Sequence, residues 1–504
     1  MKISHFAFCA IYSLLYCIFL NISAWKELVS LIEIKSIKDI EIFVVTFAIY
    51  GLVFFSFFSI VFQKYTTKVL AIILLIAGTI CAYFINTYHV IINKEMIENS
   101  LATDVNEMRD LLSWQMLLYF ALVVSTSYAI IKVRITYCKP LRFTLIKLAT
   151  IFAPILCGLL ILWASYAKIS VFFRVHKHFQ DNLTPVNFLT ALLDVYRKNP
   201  NAVSEPAVEP KKLPDITNKL NSKNQIVVLV VGETARRKNF SIYGYERQTN
   251  PLLAKQTKLK IIQNMSSCGT STKISVPCIF KSSEEYESFI TFLQRIGINT
   301  KWYDNNYGGC YGMCEREKTF YVDHKKCDGS CPDGEMLAEF GKDLSKAKSG
   351  KWLFVLHENG SHGPLYYKRY PKEYGIFKPE CQTNVVNRCK MEELINAYDN
   401  TILYTDYVLN EIIEKLKKTK QDAIMIYASD HGESLGEHGF FLHGFPYNIA
   451  PKEQKEIPFL IWSSRDIKIK PKDGYHHKNI LHTVFGALGV ENSVYQKDMD
   501  VVER

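Results

Sequence analysis

Few motifs that would assign a common activity occur in this sequence of 504 residues. S-x-P-x-R is absent, and the one C-x-P-x-R stretch, at 138–142, lies in a short basic loop between two apolar runs, so the modified nucleophile of arylsulfatases is not predicted. The nucleophile elbow of a serine hydrolase is not predicted either. No DNA- or RNA-reading motif accompanies the formal charge of +11, so a nucleic-acid partner is not expected. The function must therefore be sought in other features of the chain.

Long apolar runs occur only in the first third of the chain, and the rest reads as a lysine-rich, water-soluble domain. Crossing a hydrocarbon core of about 30 Å needs roughly 20 apolar residues. Five runs meet this length, at 4–23, 41–63, 68–92, 113–133 and 143–165. The first lacks a clear small-residue cleavage site, so a signal peptide is not predicted. The pattern predicts an α-helical membrane domain of five transmembrane helices at 1–165.

Basic residues in the short loops predict the orientation of these spans. They flank or fill the second and fourth loops, as Lys64, Lys68, Lys132, Arg134, Lys139, Arg142 and Lys147. In the other loops, acidic residues dilute the lysines and arginines. Because cytoplasmic loops are enriched in Lys and Arg, the N-terminus and the even-numbered loops are expected in the cytoplasm. Five spans then place the large C-terminal domain on the opposite side.

Eight of the 13 cysteines lie in the C-terminal part and form close pairs in the sequence. They are Cys268 with Cys278, Cys310 with Cys314, Cys327 with Cys331, and Cys381 with Cys389. An oxidising compartment converts such pairs into disulfides, which agrees with the predicted topology. Two C-x3-C pairs also have the spacing of metal ligands, so a zinc cluster is the alternative. Crossed pairing between the 310/314 and 327/331 cysteines stays open.

Two further regions follow the membrane domain. Residues 166–224 are predicted as an interfacial segment, which lies on the membrane at 168–195, and a linker at 198–224. Residues 225–504 alternate strand and helix signals. Buried-type strands are predicted at 225–233, 351–358, 422–430 and 456–464, and helices at 284–296, 393–418 and 477–488. This alternation predicts an α/β domain with a central, mostly parallel sheet.

Acidic residues and histidines lie at the carboxyl ends of the predicted strands. Functional residues gather at these ends in open α/β sheets. Glu233 ends the first strand, His357 and His362 come at or after the second, and Asp430 and His431 end the third. His443 follows a short way downstream. Carboxylates and imidazoles are ligands that zinc prefers. Each residue alone has an ordinary structural explanation, but together they predict a divalent metal site.

The candidate nucleophile is a hydroxyl in the small-residue loop at 268–272. An unassisted hydroxyl is a poor nucleophile, but coordination to zinc lowers the pKa of a bound oxygen by several units. A Cys268–Cys278 disulfide would hold this loop in place. The residues themselves do not decide among Thr270, Ser271 and Thr272.

Five sequence blocks resemble the signatures of a known family. They lie at 232–253, 266–278, 357–371, 396–409 and 429–446, and they include GETARRKNFSIYGYERQTNPLL and SDHGESLGEHGFFLHGFP. Together they are similar to the inner-membrane phosphoethanolamine transferases, a group with the lipid A enzymes and the mobile colistin-resistance enzymes. The resemblance spans the whole chain. It implies a multi-pass bacterial inner-membrane protein whose periplasmic domain is of the alkaline-phosphatase/sulfatase-like type.

The resemblance also implies roles for individual residues. The family's tightly bound zinc falls on Glu233, Thr272, Asp430 and His431, with Thr272 as the nucleophile. His362 and His443 match histidines that bind a second zinc during turnover or the substrate phosphate, and His357 matches a further active-site histidine. Asn306 and Glu433 match contacts of the phosphoethanolamine group, and Asn99 and Glu107 match residues that face the lipid donor. One departure is Tyr311, where the family often has a lysine beside the substrate phosphate.

The implied reaction is a two-step transfer from phosphatidylethanolamine to lipid A or another envelope acceptor. Thr272 would carry phosphoethanolamine after diacylglycerol leaves. The product would carry less negative charge, which would weaken the binding of cationic peptides such as polymyxin. The alternatives are a membrane-anchored phosphoglycerol transferase, a phosphatase or sulfatase-like hydrolase, and a zinc-dependent sensor without a nucleophile. The acceptor, the number of zinc ions, the effect of Tyr311 and the oligomeric state stay open.

Overall fold

The structure is a computed structural model that describes most of the chain. The described residues are 2–32, 37–102, 105–166, 169, 179, 182–198, 210–221, 223–307, 309–314, 318–327 and 330–503, with the backbone alone at 37–39, 102 and 105–107. The chain forms two compact units. The first unit contains Met1–Glu98 and Ser113–Pro200, and the second contains Asn99–Leu112 and Asn201–Arg504.

Helices dominate the residues that precede the α/β part of the chain. They are α1 (His5–Phe19), α2 (Ile22–Ile32), α3 (Ile37–Val61), α4 (Thr67–Tyr88), α5 (Lys94–Ala102), α6 (Val105–Leu111), α7 (Trp114–Lys132), α8 (Pro140–Ala164) and α9 (Val186–Lys198). Two short strands, β1 (Lys2–Ser4) and β2 (Arg134–Thr136), pair in parallel. The end of α5 and all of α6 belong to the second unit. The remaining helices form the first unit.

Among the described residues, four helices are long and apolar enough to cross a membrane, namely α3, α4, α7 and α8. The first predicted span differs from them. It is two helices, α1 and α2, which meet at 59° and count as a fifth span only if the bent pair is one span. Asn21 lies at the break, and its Nδ2 donates to the carbonyls of Tyr16 and Thr184 at 3.2 and 2.9 Å. A polar side chain that binds backbone carbonyls explains why one straight helix does not form here.

The apolar surfaces of α7 and α8 face outward. Leu117 is 68% exposed, Phe120 65% and Trp163 80%. A water-soluble unit would bury such residues, whereas lipid tails cover them in a membrane. The predicted interfacial segment is described in part, as α9 with exposed Leu192 and Tyr196. Residues 168, 170–178 and 180–181 of that segment, and residues 199–209 and 222 of the predicted linker, lie outside the described residues.

The second unit is built on a seven-stranded sheet. Its strands are β3 (Gln225–Gly232), β4 (Leu259–Ile262), β6 (Asn299–Asp304), β7 (Thr319–Tyr321), β8 (Lys351–His357), β9 (Ala423–Ser429) and β12 (Phe459–Ser463), in the order β4-β12-β9-β3-β8-β6-β7. All four predicted strands are confirmed and lie next to one another. Strands β9, β3, β8, β6 and β7 are parallel, whereas β12 runs antiparallel to β9 and β4. The sheet is therefore mixed, with a parallel main part and an antiparallel edge.

Helices cover both faces of this sheet. They are α10 (Thr272–Phe280), α11 (Phe289–Arg295), α12 (Met336–Lys346), α13 (Met391–Thr419) and α14 (Lys478–Leu488). The three predicted helices are confirmed as α11, α13 and α14, while α10 and α12 were not predicted. Every residue of β3 after Gln225 is buried. A strand buried on both faces reads as a continuous apolar run, which is why QIVVLVVG was recognisable.

Two small sheets shape the loops beyond the carboxyl ends of the main strands. Strands β5 (Met265–Ser266) and β13 (Tyr475–His476) pair in parallel. Strands β10 (Ser434–Leu435) and β11 (Phe441–Leu442) form an antiparallel pair. The first pair brings the segment before α14 beside the loop that leads into α10, and the second returns the chain toward the end of β9.

Candidate active site

Glu233 follows β3 directly, at the centre of the sheet, and is fully buried. Its Oε2 accepts hydrogen bonds from Thr272 Oγ1 at 3.1 Å and from Asn306 Nδ2 at 2.8 Å. Gly360 packs against it with a φ of 51°, and a Cβ there would lie 2.6 Å from the Glu233 carbonyl oxygen. Only glycine combines this backbone conformation with so close an approach. The loop after β8 therefore fixes the backbone position of Glu233.

Asp430 and His431 follow β9, the neighbour of β3, and both are fully buried. Asp430 Oδ1 accepts hydrogen bonds from the backbone N–H groups of Thr234 and His431, at 3.2 and 2.7 Å. His431 Nδ1 lies 2.9 Å from the Gly432 carbonyl oxygen. A carbonyl can only accept, so Nδ1 carries the proton and Nε2 presents its lone pair. Nε2 faces the carboxylates of Glu233 and Asp430.

The three hydroxyls that the sequence left open have different surroundings. Thr272 is the first residue of α10, and its Oγ1 lies 3.4 Å from His431 Nε2 as well as 3.1 Å from Glu233 Oε2. Thr270 Oγ1 donates to the carbonyl of Phe445 at 2.6 Å. Ser271 Oγ is buried without a hydrogen-bond partner among the described residues. The geometry joins Thr272 to the carboxylate–histidine cluster.

The donor set fits a tetrahedral metal. His431 Nε2 lies 3.4 Å from Glu233 Oε1, 3.3 Å from Asp430 Oδ2 and 3.4 Å from Thr272 Oγ1. Ligands bound to zinc at 2.0–2.1 Å in a tetrahedron are separated by about 3.3 Å. Glu233 Oε1 and Asp430 Oδ2 are buried, and within the described part of the chain neither has a hydrogen-bond partner. Two unpaired buried carboxylate oxygens beside an imidazole lone pair are an expensive arrangement unless a cation joins them.

The electrostatics of the cluster agree with this interpretation. Burial, together with the negative charge of Asp430, raises the pKa of Glu233 well above its usual value. Burial alone would also raise the pKa of Asp430, but the nearby His431 and His357 reverse the shift and leave it lowered. Burial lowers the pKa of His431 to about 4, so its imidazole is neutral at pH 7. A neutral imidazole is the form that binds a metal.

Two further predicted histidines lie beside the cluster. The ring of His443 is 4.5 Å from that of His431 and 5.3 Å from that of His362. His443 Nδ1 lies 3.1 Å from Glu433 Oε2, whose other oxygen accepts a hydrogen bond from Tyr366 at 3.1 Å. Since a carboxylate orients the ring, His443 has a defined tautomer in which Nδ1 carries a proton. The structure thus groups His362, His443 and Glu433, and the ring of His443 lies beside that of His431.

His357 and Asn306 lie at the ends of neighbouring strands. His357 Nδ1 is 3.3 Å from Asp304 Oδ2, and both residues are buried. His357 Nε2 is also buried and has no hydrogen-bond partner in the described chain. Asn306 Nδ2 donates to the carbonyl of Glu358 at 3.0 Å in addition to Glu233, so it links two strand ends.

The remaining predicted positions have different outcomes. Asn99 lies in α5, within the second unit, and the side chain of Glu107 lies outside the described residues. Tyr311, the departure noted in the sequence, has a φ of 45° and packs against the apolar core of the second unit. Its side chain therefore contributes to packing.

One stretch, Gly432 to Gly436, has the G-x-S-x-G spacing that normally signals a nucleophile elbow, although no elbow was predicted. Its serine, Ser434, begins β10 rather than a strand-to-helix turn. It is fully buried, and its Oγ accepts a hydrogen bond from Gln454 at 2.8 Å. The stretch is therefore part of the loop that carries Glu433, and Ser434 lacks the exposure of an elbow nucleophile.

The structure pairs the eight cysteines of the second unit with their sequence neighbours. The disulfides are Cys268–Cys278, Cys310–Cys314, Cys327–Cys331 and Cys381–Cys389. The crossed pairing and the zinc-cluster alternative are therefore not adopted. The first disulfide closes the segment that carries Thr270, Ser271 and Thr272, and thereby restrains the candidate nucleophile.

Sequence reasoning missed His477, which is fully buried at the start of α14. Its Nδ1 accepts a hydrogen bond from the backbone N–H of Cys268 at 3.1 Å, and its Nε2 lies 2.9 Å from the Ser429 carbonyl oxygen. It thus joins the loop of Thr272 to the strand end of Asp430. The sequence signal was weak, because a histidine pair just before an apolar helix is more often part of a core.

A mixed sheet with a threonine, two carboxylates and a histidine at its carboxyl edge agrees with a sulfatase-like domain. The sulfatase family model matches residues 225–490. A second model, described as phosphoethanolamine transferase EptA/EptB, matches residues 50–199. The two matches cover both parts of the chain.

Relatives extend over nearly the full length. The chain is 34% identical to phosphoethanolamine transferase EptA of Salmonella typhimurium, over 99% of this chain and 96% of that protein. It is 35% identical to phosphatidylethanolamine transferase Mcr-1 of Escherichia coli, over 81% of this chain and 80% of that protein. The lipooligosaccharide phosphoethanolamine transferase EptA of Neisseria meningitidis superimposes with a TM-score of 0.91 at 29% identity, over 99% and 98% of the two chains. The chain belongs to the phosphoethanolamine transferase family and is a transferase.

Proposed function

We propose that the protein transfers phosphoethanolamine from phosphatidylethanolamine to lipid A, or to another acceptor of the cell envelope, through Thr272. The observation that carries this proposal is the position of Thr272 Oγ1, 3.1 Å from Glu233 and 3.4 Å from His431 Nε2. The names of two relatives support the substrates: Mcr-1 is a phosphatidylethanolamine transferase, and the Neisseria protein acts on lipooligosaccharide.

Glu233, Asp430, His431 and Thr272 would hold one zinc ion, and His362 and His443 would hold a second or bind phosphate. When bound, zinc would lower the pKa of the Thr272 hydroxyl and neutralise charge on the phosphoryl oxygens. Other residues of the chain hold the ligand and the nucleophile in position. The hydrogen bond from Asn306 and the packing of Gly360 fix Glu233, and the Cys268–Cys278 disulfide restrains the nucleophile.

In the first step, Thr272 Oγ attacks phosphorus and the bond to the glycerol oxygen breaks. Diacylglycerol leaves with a proton, and phosphoethanolamine stays on Thr272 as a phosphodiester. In the second step, an acceptor oxygen attacks the same phosphorus, the bond between phosphorus and Thr272 Oγ breaks, and Thr272 Oγ takes up a proton. His443, held through Nδ1 by Glu433, would exchange these protons from Nε2.

The proposed setting is the bacterial inner membrane, with five spans that count α1 and α2 as one. Residues 1–165 form the membrane domain, 166–224 the interfacial segment and linker, and 225–504 the periplasmic catalytic domain. The four disulfides support an oxidising compartment for the last of these. Because donor and acceptor are both lipids, a membrane anchor keeps the catalytic domain near them.

The test is expression of the chain and its Thr272→Ala variant in a Gram-negative host, followed by mass spectrometry of lipid A. We expect phosphoethanolamine-modified lipid A and diacylglycerol release only with the unchanged chain. Diacylglycerol release without modified lipid A would direct the search to other acceptors. Release of free phosphoethanolamine would favour a hydrolase, and release of neither product would contradict the proposal.

A further inference from the structure

Arg369 is a buried cation outside the candidate metal cluster. Its side chain is only 1% exposed. Its Nε donates to the carbonyl of His362 at 2.7 Å, and its terminal nitrogens donate to Ser330 Oγ at 2.7 Å and Asp110 Oδ2 at 2.7 Å. Tyr307 OH lies 3.5 Å from one of them. A guanidinium this deep in the protein is stable only when its donors are satisfied, so these partners are held in fixed relative positions.

Asp110 is the distant partner, because it lies 259 residues before Arg369 in the chain. It belongs to α6, and Asn384 holds the end of the same helix. Asn384 Nδ2 donates to the carbonyls of Asp110 and Leu112, at 3.0 and 2.6 Å. Three side-chain hydrogen bonds therefore fasten the end of α6 to the second unit. The residues 99–112 consequently belong to that unit, although predicted membrane spans flank them on both sides.

The same guanidinium also acts on the candidate active site. It binds the backbone carbonyl of His362, whose ring lies 5.3 Å from that of His443. One side chain thus connects the segment of His362 to the segment of Asn99 and Glu107. If either contact were lost, a donor group of the buried Arg369 guanidinium would have no acceptor. The positions of the two segments are therefore coupled.

We propose that Arg369 and Asp110 are positioning residues that fix the 99–112 segment relative to His362 and so set the affinity for the lipid donor. This proposal rests on the proposed function and extends it, because it takes Asn99 and Glu107 of this segment as contacts of the donor lipid, as the family resemblance implies. Neither residue touches the reacting atoms. Arg369 would fix both the 99–112 segment and the backbone at His362. Asp110 would fix only the 99–112 segment.

The kinetic test uses the full-length protein in detergent micelles with varied mole fractions of phosphatidylethanolamine. For Asp110→Ala we expect the KM for the donor to rise by about 10-fold or more while kcat changes by less than about 3-fold. For Arg369→Lys we expect both constants to worsen, because lysine cannot reproduce the forked donor geometry. The matched control is Asp215→Asn, which breaks the exposed pair with Arg295 at 2.7 Å and should change neither constant. Asp110→Asn replaces Asp110→Ala if the latter does not fold.

A second measurement does not depend on activity. Hydrogen–deuterium exchange of the backbone at 105–112 should accelerate by about 10-fold or more in Arg369→Lys, and peptides of β3 should be unchanged. Unchanged exchange at 105–112, or a donor KM within about 2-fold of the original in Asp110→Ala, would overturn the proposal. A fall in kcat alone with equal loss of zinc would also overturn it, since that result indicates general damage. If the unchanged chain transfers nothing from phosphatidylethanolamine, the proposed function fails, and the exchange experiment still decides whether Arg369 holds α6.

Discussion

His477 and Cys268 are joined across 209 residues by a hydrogen bond of 3.1 Å from the backbone N–H of Cys268 to His477 Nδ1. The other ring nitrogen lies 2.9 Å from the carbonyl of Ser429, which fixes the tautomer with a proton on Nε2. The imidazole therefore spans the nucleophile loop and the end of β9. The short parallel pair of β5 and β13 brings the two segments together.

Substitution of His477 tests this bridge. His477→Ala removes the acceptor of the part-buried Cys268 N–H and the donor to the buried Ser429 carbonyl, and each loss costs about 1–3 kcal/mol. We expect the free energy of unfolding to fall by about 2–5 kcal/mol, with a lower kcat because Thr272 and Asp430 lose their common support. Chemical unfolding in detergent and transfer assays measure the two effects. A variant with unchanged kcat would show that the bridge is dispensable for alignment.

The same residue predicts a pH dependence of stability. Burial lowers the pKa of His477 from 6.5 to about 4. The unfolded chain therefore binds a proton near pH 6.5 while the folded protein does not, so stability is lost as the pH falls from 6.5 toward 4. The His477 share of this loss is at most about 3 kcal/mol. The difference in unfolding free energy between the unchanged chain and His477→Gln, measured from pH 7.5 to 4.5, should therefore shrink with falling pH, and a constant difference would contradict the prediction.

Metal binding gives a separate prediction. Asp430→Asn removes one negative charge and weakens one ligand of a buried four-ligand set. We therefore expect the zinc content to fall steeply and the rate of transfer to fall by about 10²–10³-fold. Elemental analysis and lipid A mass spectrometry measure these changes. Chelation of the unchanged chain should abolish transfer, and added zinc should restore it, whereas magnesium should not because it prefers six oxygen ligands. The control is Asp422→Asn, at the opposite end of β9. Full zinc content in Asp430→Asn would remove Asp430 from the ligand set.

Two disulfides that close loops of similar length allow an effect on stability to be distinguished from an effect on catalysis. Cys268–Cys278 closes a sequence separation of 10 around Thr272, and Cys381–Cys389 closes a separation of 8 elsewhere. Replacing both cysteines of either pair by serine should lower the unfolding free energy by about 2–3 kcal/mol. Only loss of the first pair should lower kcat, because only that loop carries the nucleophile. Equal kcat values for the two double variants would show that the Cys268–Cys278 disulfide has no role in positioning.

The sequence predicted best where a local pattern repeats. The run of buried β-branched residues in β3 and the helical periodicity of α13 depend on neighbours a few residues apart. Edge strands such as β7, with three residues, give too short a pattern to recognise. The direction of β12 was also beyond local reasoning, because a buried strand has the same composition whether its neighbours run parallel or antiparallel.

The sequence by itself determined that apolar spans precede an α/β domain whose strands end in carboxylates and histidines. This holds because hydropathy and periodicity are properties of short segments. The residues alone left Thr270, Ser271 and Thr272 open, and the family resemblance implied Thr272, whose hydroxyl the tertiary structure places against Glu233. Only the tertiary structure decided that His477 and Arg369 connect distant segments. These outcomes depend on which surfaces meet across hundreds of residues, and a buried polar group is assigned its partner by that packing rather than by its neighbours in the chain.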